Sequence, residues 1–373
     1  MWLVLLGCLL QAAAAIAPPL PGVSPDLFAS LERLARLVDI TYCIGNTGIV
    51  KPFSCLSRCA EFPNVTLSRT WSTGLFMTDS CGYIAVDETP AATAVDIDSH
   101  GAIIVAFRGT YSVADTVLDL STVPQEYVPY PGDGSPAHKC TNCTVHMGFF
   151  KAWQSAKESV IPELIQLRRT HPDKPIHLVG HSLGGAVACL AALELKTTVG
   201  LDNIVVTTFG EPRVGNGGLV DFINQIFGLN DEADMAKRSY RRLTHTNDPV
   251  PLLPPGEWGY KSHAGEIHIT KSDLSPAQED LQLCEGNDDE RCSAGQDSTS
   301  QSLTRVTEFY ESVAASQLQK RGFPTRLKLW QLFFAHRDYF WRLGLCFPGG
   351  DPFDWGRNKM SELDLVDVEN QEL

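Results

Sequence analysis

A buried strand, a tight turn and a helix follow one another without a break near the middle of the chain. Residues 176–180 (IHLVG) form an apolar run of strand length, residues 183–196 have the composition of a buried helix, and Ser182 lies between them in the pattern G-H-S-L-G. Such a turn pushes the serine outward at the carboxyl edge of a sheet and requires small neighbours, which Gly180 and Gly184 supply. The first N–H groups of the helix would face the serine oxygen and could stabilise a developing negative charge. The pattern therefore predicts a nucleophilic serine, since a plain Ser-Gly turn would not require the apolar strand in front of it.

Apolar runs and helical spacings alternate along the rest of the chain. The runs over 101–109 and 203–210 are continuous, as in strands buried on both faces, and a fourth strand is predicted within 239–250. Helical spacing is present over 25–39 and 152–170. Strands that alternate with helices favour an α/β fold with a parallel sheet.

A serine attacks well only when a base takes its proton and a carboxylate orients that base. Asp248 ends the predicted fourth strand and is the candidate acid, although Asp-Pro at a strand end is also a common turn. The histidines that follow it are His263, His268 and His336, and spacing does not choose among them. His181 precedes the serine and is expected to be packed and hydrogen-bonded rather than catalytic.

Both ends of the chain differ from its middle. Residues 1–17 combine an apolar run with A-x-A-like cleavage sites, which predicts a secretory signal peptide. A membrane anchor is the alternative, but the run is shorter than the roughly 20 apolar residues that a membrane span requires. Residues 351–373 are acidic and aperiodic, which predicts a disordered tail. The folded domain is thus expected over 18–350, with no integral membrane segment. The net charge of −14 disfavours nucleic acid and anionic membrane surfaces as partners.

Cysteine usage also indicates export. Ten of the eleven cysteines lie beyond the predicted signal peptide, and three short spacings suit disulfide loops. A zinc site at the C-x-x-C of 140–143 is disfavoured because the sequence has no second such pair or paired histidines nearby, so no metal is expected. Asn64 and Asn142 lie in N-x-T sequons, which predicts glycosylation. The closely spaced pairs are Cys55–Cys59, Cys140–Cys143 and Cys284–Cys292.

Six motifs, taken together and in their order, resemble the secreted fungal and yeast lipases of class 3, a branch of the α/β-hydrolases. The resemblance extends over about 42–346 and implies an α/β-hydrolase fold, that is, a single domain with a mostly parallel central sheet flanked by helices and a lid helix. The motifs are IVAFRGT (104–110), VHMGFFKAW (145–153), VGHSLGGA (179–186), TFGEPRVGN (208–216), THTNDPVPLLPP (244–255) and HRDYF (336–340).

The resemblance also implies roles for individual residues. Ser182 would be the nucleophile, Asp248 the orienting acid and His336, in an H-x-x-Y-F setting, the base. The oxyanion hole would comprise the main-chain N–H and hydroxyl of Thr110 and the N–H of Leu183.

Several further positions match the family. His263 corresponds to a structural histidine, and His268 lies in the same predicted strand, so both are expected to be structural. The aromatic pair Tyr339 and Phe340 is expected to pack beneath the sheet edge. Family cysteine positions imply a Cys43–Cys346 disulfide beside the three short pairs and leave Cys81 and Cys189 as free thiols.

Two segments depart from the family pattern. The lid region, 111–124, has no tryptophan, yet its residues would form a helix with one apolar and one charged face. A long insert occupies 301–330, before His336.

These inferences lead to an expected function. We expect a secreted, extracellular serine esterase that hydrolyses triacylglycerol at an oil–water interface, as a monomer and without a cofactor. A feruloyl-type esterase of the same family and a non-catalytic secreted binding protein are the alternatives.

Overall fold

The computed structural model describes residues 20–74, 79–89, 101–110, 124–126, 139–230, 237–297 and 335–347. Its helices in this part of the chain are α1 (Pro25–Ile40), α2 (Met147–Thr170), α3 (Leu183–Thr197), α4 (Gly217–Phe227) and α5 (Ser293–Asp297). Its strands are β1 (Val65–Ser72), β2 (Cys81–Asp87), β3 (Ile103–Phe107), β4 (Pro124–Glu126), β5 (Thr144–His146), β6 (Ile176–His181), β7 (Ile204–Phe209), β8 (Gly215–Asn216), β9 (Tyr240–His245), β10 (Tyr260–Lys261), β11 (Glu266–Ile269) and β12 (Leu281–Leu283).

Most of these strands form one eight-stranded sheet, in the order β1-β2-β3-β6-β7-β9-β11-β12. The central strands β3, β6, β7, β9 and β11 pair in parallel, whereas both margins are antiparallel. A smaller antiparallel sheet has the order β10-β8-β5-β4. The predicted mostly parallel sheet flanked by helices is confirmed.

The central strands are buried because apolar layers cover both faces of the sheet. In β3, Ile103 and Val105 belong to one core with α2, α3 and α4, and Ile104 and Ala106 belong to a second core with α1 and 339–346. Since successive side chains of a strand point to opposite faces, a strand covered on both sides needs a continuous apolar run. The run over 101–109 has this pattern for that reason.

The C-terminal segment 335–347 is fastened to the N-terminal helix. The structure joins Cys43 to Cys346 across a sequence separation of 303. The rings of Phe28 and Phe340 pack edge to face, with centroids 5.4 Å apart. The segment that carries His336 is thereby held against the body of the fold.

The segment 239–250 is a strand that runs into a turn, as its sequence predicts. Strand β9 ends at His245, and a turn with Asn247 at φ 69° follows. Asp248 therefore lies beyond the carboxyl end of a parallel strand, at the edge of the sheet where Ser182 follows β6.

Some predictions concern residues that the structure does not describe. The signal peptide (1–17), the lid apart from Pro124 (111–124), the insert (301–330) and the tail (351–373) lie outside the described residues, and these boundaries remain predictions. Among the residues described, the helices all fall short of the length and apolarity that a bilayer crossing requires.

Candidate active site

Ser182 occupies a strained turn between β6 and α3. Its φ of 59° and ψ of −131° lie in a region that non-glycine residues rarely adopt and that structures retain mainly at functional sites. The side chain is almost fully buried, and the N–H donates to the carbonyl of Phe209 on β7 at 2.9 Å. A strained serine between a strand and a helix is typical of an activated nucleophile.

Two glycines make this turn possible. A Cβ on Gly180 would lie 2.2 Å from the carbonyl oxygen of Gly184, and a Cβ on Gly184 would lie 2.4 Å from the carbonyl oxygen of Phe107. Both positions therefore exclude any larger residue. The second contact also brings the start of α3 against the end of β3, where Gly109 and Thr110 follow.

His336 faces the carboxylate of Asp248. Its Nδ1 lies 3.0 Å from both carboxylate oxygens, and both side chains are fully buried. Since a carboxylate only accepts, Nδ1 is the nitrogen that carries a proton toward Asp248, and in the singly protonated ring Nε2 is left as an acceptor. A ring in this tautomer can remove a proton from a hydroxyl group.

Asp248 is itself held by two further donors. The hydroxyl of Tyr339 donates to Oδ2 at 2.7 Å, and the N–H of Val250 donates to Oδ1 at 2.9 Å. Burial alone would raise the pKa of Asp248, but the charge of His336 and the hydrogen bonds from His336, Tyr339 and Val250 outweigh it and hold this pKa below its ordinary value. Asp248 is therefore ionised at neutral pH.

Two buried polar atoms of this site have no hydrogen-bond partner among the described residues. These atoms are Oγ of Ser182 and Nε2 of His336, and the direct Ser182–His336 hydrogen bond is not formed. Unsatisfied buried groups are rare in proteins, and catalytic hydrogen bonds are often long before substrate binds. The two atoms are the ones that a serine hydrolase uses for its first proton transfer.

A potential oxyanion site lies beside the nucleophile. Leu183 is the first residue of α3, so its N–H has no partner within the helix. On the other side, Gly109 packs so closely that a Cβ there would lie 2.9 Å from Cβ of Ser182, and half-buried Thr110 follows it. Main-chain N–H groups from two sides of a serine can bind an oxygen that gains negative charge.

The remaining candidate histidines have other partners. Nε2 of His263 lies 3.1 Å from Glu211, and its Nδ1 lies 2.7 Å from the carbonyl of Ala264. Nδ1 of His268 lies 2.8 Å from the hydroxyl of Thr244 on β9. The structure therefore places His336, and neither of these two, at Asp248.

The hydroxyl of Tyr339 has a role that sequence reasoning missed. The aromatic pattern predicts only packing, and the ring of Tyr339 does pack against Phe209, with centroids 5.7 Å apart. Its hydrogen bond to Asp248 is the additional finding. The signal in the sequence is the H-x-x-Y spacing, because a residue three positions from the base can return to the same carboxylate.

The structure contains the four expected disulfides, and both glycosylation sequons lie at its surface. The structure joins Cys43–Cys346, Cys55–Cys59, Cys140–Cys143 and Cys284–Cys292. Cys81 and Cys189 are free and buried. Asn64 and Asn142 are exposed, as glycosylation acceptors must be.

One group of potential metal ligands occurs in the described ranges. Cys189, Glu211 and His263 have donor atoms within 4.8 Å of one another. Burial raises the pKa of the Cys189 thiol well above its ordinary value, and Glu211 already accepts from the hydroxyls of Thr208 and Tyr240. This donor set is a hydrogen-bonded core cluster with a neutral thiol, which is a poor metal ligand.

The chain is similar to several known lipases. A family model described as "Lipase (class 3)" matches residues 104–258. The chain is 56% identical to secreted mono- and diacylglycerol lipase 2 of Gibberella zeae, over 93% of this chain and 88% of that protein. It is 55% identical to lipase A of Sodiomyces alcalophilus, over 95% of this chain and 91% of that protein. The crystal structure of the Lip2 lipase from Yarrowia lipolytica superposes with a TM-score of 0.70 at 28% identity, over 88% of this chain and 99% of that chain.

Proposed function

The chain belongs to the class 3 lipase family, and we propose that it hydrolyses acylglycerol esters through an acyl-enzyme formed on Ser182. It is a secreted carboxylic ester hydrolase with an α/β-hydrolase fold, and it acts on lipid esters.

The first half of the reaction transfers the acyl group to the enzyme. Nε2 of His336 accepts the hydroxyl proton of Ser182 while Oγ bonds to the ester carbon. The carbonyl oxygen gains negative charge and accepts hydrogen bonds from Leu183 and Thr110. Asp248 stabilises the imidazolium. The C–O bond to the alcohol then breaks, and the proton on Nε2 passes to the leaving oxygen.

The second half uses water. Nε2 of His336 removes a proton from a water molecule, and the resulting hydroxide attacks the acyl carbon. The bond to Oγ breaks, Ser182 regains its proton from His336, and the fatty acid leaves. These steps draw every proton from side chains and water.

One observation carries the assignment. Nδ1 of His336 lies 3.0 Å from both oxygens of Asp248, and Nε2 of His336 and Oγ of Ser182 are buried and have no hydrogen-bond partner among the described residues. The positive φ of Ser182 supports the same assignment, because a turn without a function would relax to an ordinary conformation.

Ser182→Ala tests the nucleophile. The variant should fold normally, lose about 10⁶-fold in kcat, and resist an organophosphate that adds one group to the wild-type chain. Ser80→Ala is a matched control, because Ser80 is also buried and its Oγ accepts from the Trp71 indole at 3.1 Å; it should keep wild-type activity. Activity of Ser182→Ala within tenfold of wild type would refute the assignment.

Two kinds of acylglycerol are candidates for the ester that donates the acyl group. The resemblance predicts triacylglycerol, whereas the name of the Gibberella zeae relative favours mono- and diacylglycerols. Rates on emulsified tri-, di- and monoolein at equal interfacial area separate the two. Methyl ferulate in the same panel tests the feruloyl-esterase alternative, which requires it to be the best substrate.

A further inference from the structure

Tyr42 and His181 form a hydrogen-bonded chain that ends on the main chain of His336. Tyr42 lies in a 3-10 turn, Thr41–Cys43, that follows α1. Its hydroxyl is 2.6 Å from Nδ1 of His181, and Nε2 of His181 is 2.8 Å from the carbonyl oxygen of His336. All three side chains are buried. The rings of His181 and His336 are also stacked, with centroids 4.7 Å apart and an interplanar angle of 28°.

The direction of every hydrogen bond in this chain is fixed. A carbonyl oxygen only accepts, so Nε2 of His181 carries the proton that it donates to His336. Burial, and secondly the charge of His336, lower the pKa of His181 to about 3, so the ring is neutral and Nδ1 has a free lone pair. The hydroxyl of Tyr42 must therefore donate to Nδ1. Both nitrogens of the neutral His181 ring therefore take part in a hydrogen bond: Nε2 as the donor and Nδ1 as the acceptor.

Tyr42 also packs against the turn at Gly109, which precedes the potential oxyanion residue Thr110. A Cβ on Gly109 would lie 2.6 Å from the hydroxyl oxygen of Tyr42 and 2.9 Å from Cβ of Ser182. Two residues further along the chain, the carbonyl of Ile44 accepts a hydrogen bond from the guanidinium of Arg108. The segment 42–44 therefore contacts the turn that leads to the oxyanion site as well as the histidine chain.

We propose that Tyr42 is a positioning residue which, through His181, fixes the main chain of His336 relative to Ser182 and the turn at Gly109. The inference rests on the proposed function, in which His336 is the base. The groups to be aligned come from distant parts of the sequence, and among the described residues His336 lies in a turn rather than in a strand of the sheet. A misplacement of about 1 Å at such a site can cost about a hundredfold in rate.

Tyr42→Phe tests the proposal, because it removes the donor and keeps the ring. We expect kcat on a soluble short-chain ester to fall by about 10- to 100-fold with KM changed less than about twofold. Tyr83→Phe is the matched control: Tyr83 is also fully buried, and its hydroxyl donates to a main-chain carbonyl, that of Leu37 in α1, at 2.8 Å. This control should lower the Tm comparably and leave kcat unchanged. The concentration of active enzyme in each preparation is determined by titrating the nucleophile to completion with an organophosphate.

A second pair of variants decides the matter if Tyr42→Phe does not fold. His181→Gln keeps one acceptor and one donor, whereas His181→Leu keeps neither. The glutamine variant should retain at least tenfold more kcat than the leucine variant.

The outcomes that overturn the proposal are specific. An unchanged kcat in Tyr42→Phe, an equal loss of kcat in Tyr42→Phe and Tyr83→Phe, or equal kcat in the two His181 variants would each reject it. Failure of the proposed function would show differently, as an active or organophosphate-labelled Ser182→Ala.

Discussion

Tyr339→Phe removes a single oxygen from the environment of Asp248. That hydroxyl donates to Oδ2 of the buried carboxylate at 2.7 Å, and a hydrogen bond to a charged group stabilises a protein by about 1.5–3 kcal/mol. One kcal/mol shifts the Tm by about 2–4 °C in a domain of 150–250 residues, and the lower value of about 2 °C suits a longer chain. We therefore expect Tyr339→Phe to lower the Tm by about 3–6 °C near neutral pH. A less constrained carboxylate should also lower kcat by about tenfold.

The pH dependence of the loss identifies its cause. Because the pKa of Asp248 is held below its ordinary value, the stabilisation linked to its charge is complete above the ordinary pKa and disappears as the pH falls through the lowered native pKa. Tyr339 is one of the donors that lower this pKa. The Tm difference between wild type and Tyr339→Phe, measured by scanning calorimetry, should therefore be widest near neutral pH and shrink in acid.

Tyr83→Phe provides the comparison here as well. Its hydroxyl donates to the uncharged carbonyl of Leu37 at 2.8 Å, so its removal should cost about 1 kcal/mol at every pH. If the Tm loss in Tyr339→Phe is as independent of pH as that in Tyr83→Phe, and kcat is unchanged, the hydroxyl does not support the charge on Asp248.

Two further predictions concern the oxyanion site and the C-terminal segment. Thr110→Val should lower kcat by about 10²-fold or more while Thr110→Ser keeps most of the activity; equal kcat in the two variants would contradict a role for the hydroxyl. Burial raises the pKa of Asp39 to about 6, although the Gly344 N–H and the charge of Arg58 act in the opposite direction. The stability linked to Asp39 is thus complete below the ordinary pKa of aspartate and is lost as the pH rises through about 6, so Asp39→Asn should remove that part of the pH dependence of Tm; an unaltered profile would contradict this prediction.

Local patterns were sufficient to predict the nucleophile turn. An apolar strand, two glycines and an apolar helix occupy one short stretch, and each constrains its neighbours within a few residues. The close approach of Gly180 to Gly184 and the positive φ of Ser182 are consequences of the same steric requirement. Such features can be read from one sequence because the atoms that clash are close together in the chain.

The base could not be chosen in this way. Asp248 and His336 are 88 residues apart, and spacing alone gives His263 and His268 equal standing. The choice depended on the resemblance to a known family. In physical terms, a long-range attachment, the Cys43–Cys346 disulfide, fastens the segment that carries His336 to the body of the fold, and periodicity carries no information about it.

The role inferred for Tyr42 is even harder to predict from the sequence than the choice of the base. Its partner His181 is 139 residues away, and the carbonyl that His181 holds is 155 residues further on. A buried tyrosine beside a cysteine predicts only core packing, because hydrophobic patterns do not distinguish a hydroxyl that donates from one that is merely enclosed. The cost of burying a polar group without a partner means that each one must be satisfied somewhere in the fold. Here that requirement is met by the imidazole ring of His181, whose other nitrogen donates to the main chain of His336, so the satisfaction of a buried hydroxyl and the placement of the base depend on one hydrogen-bonded chain.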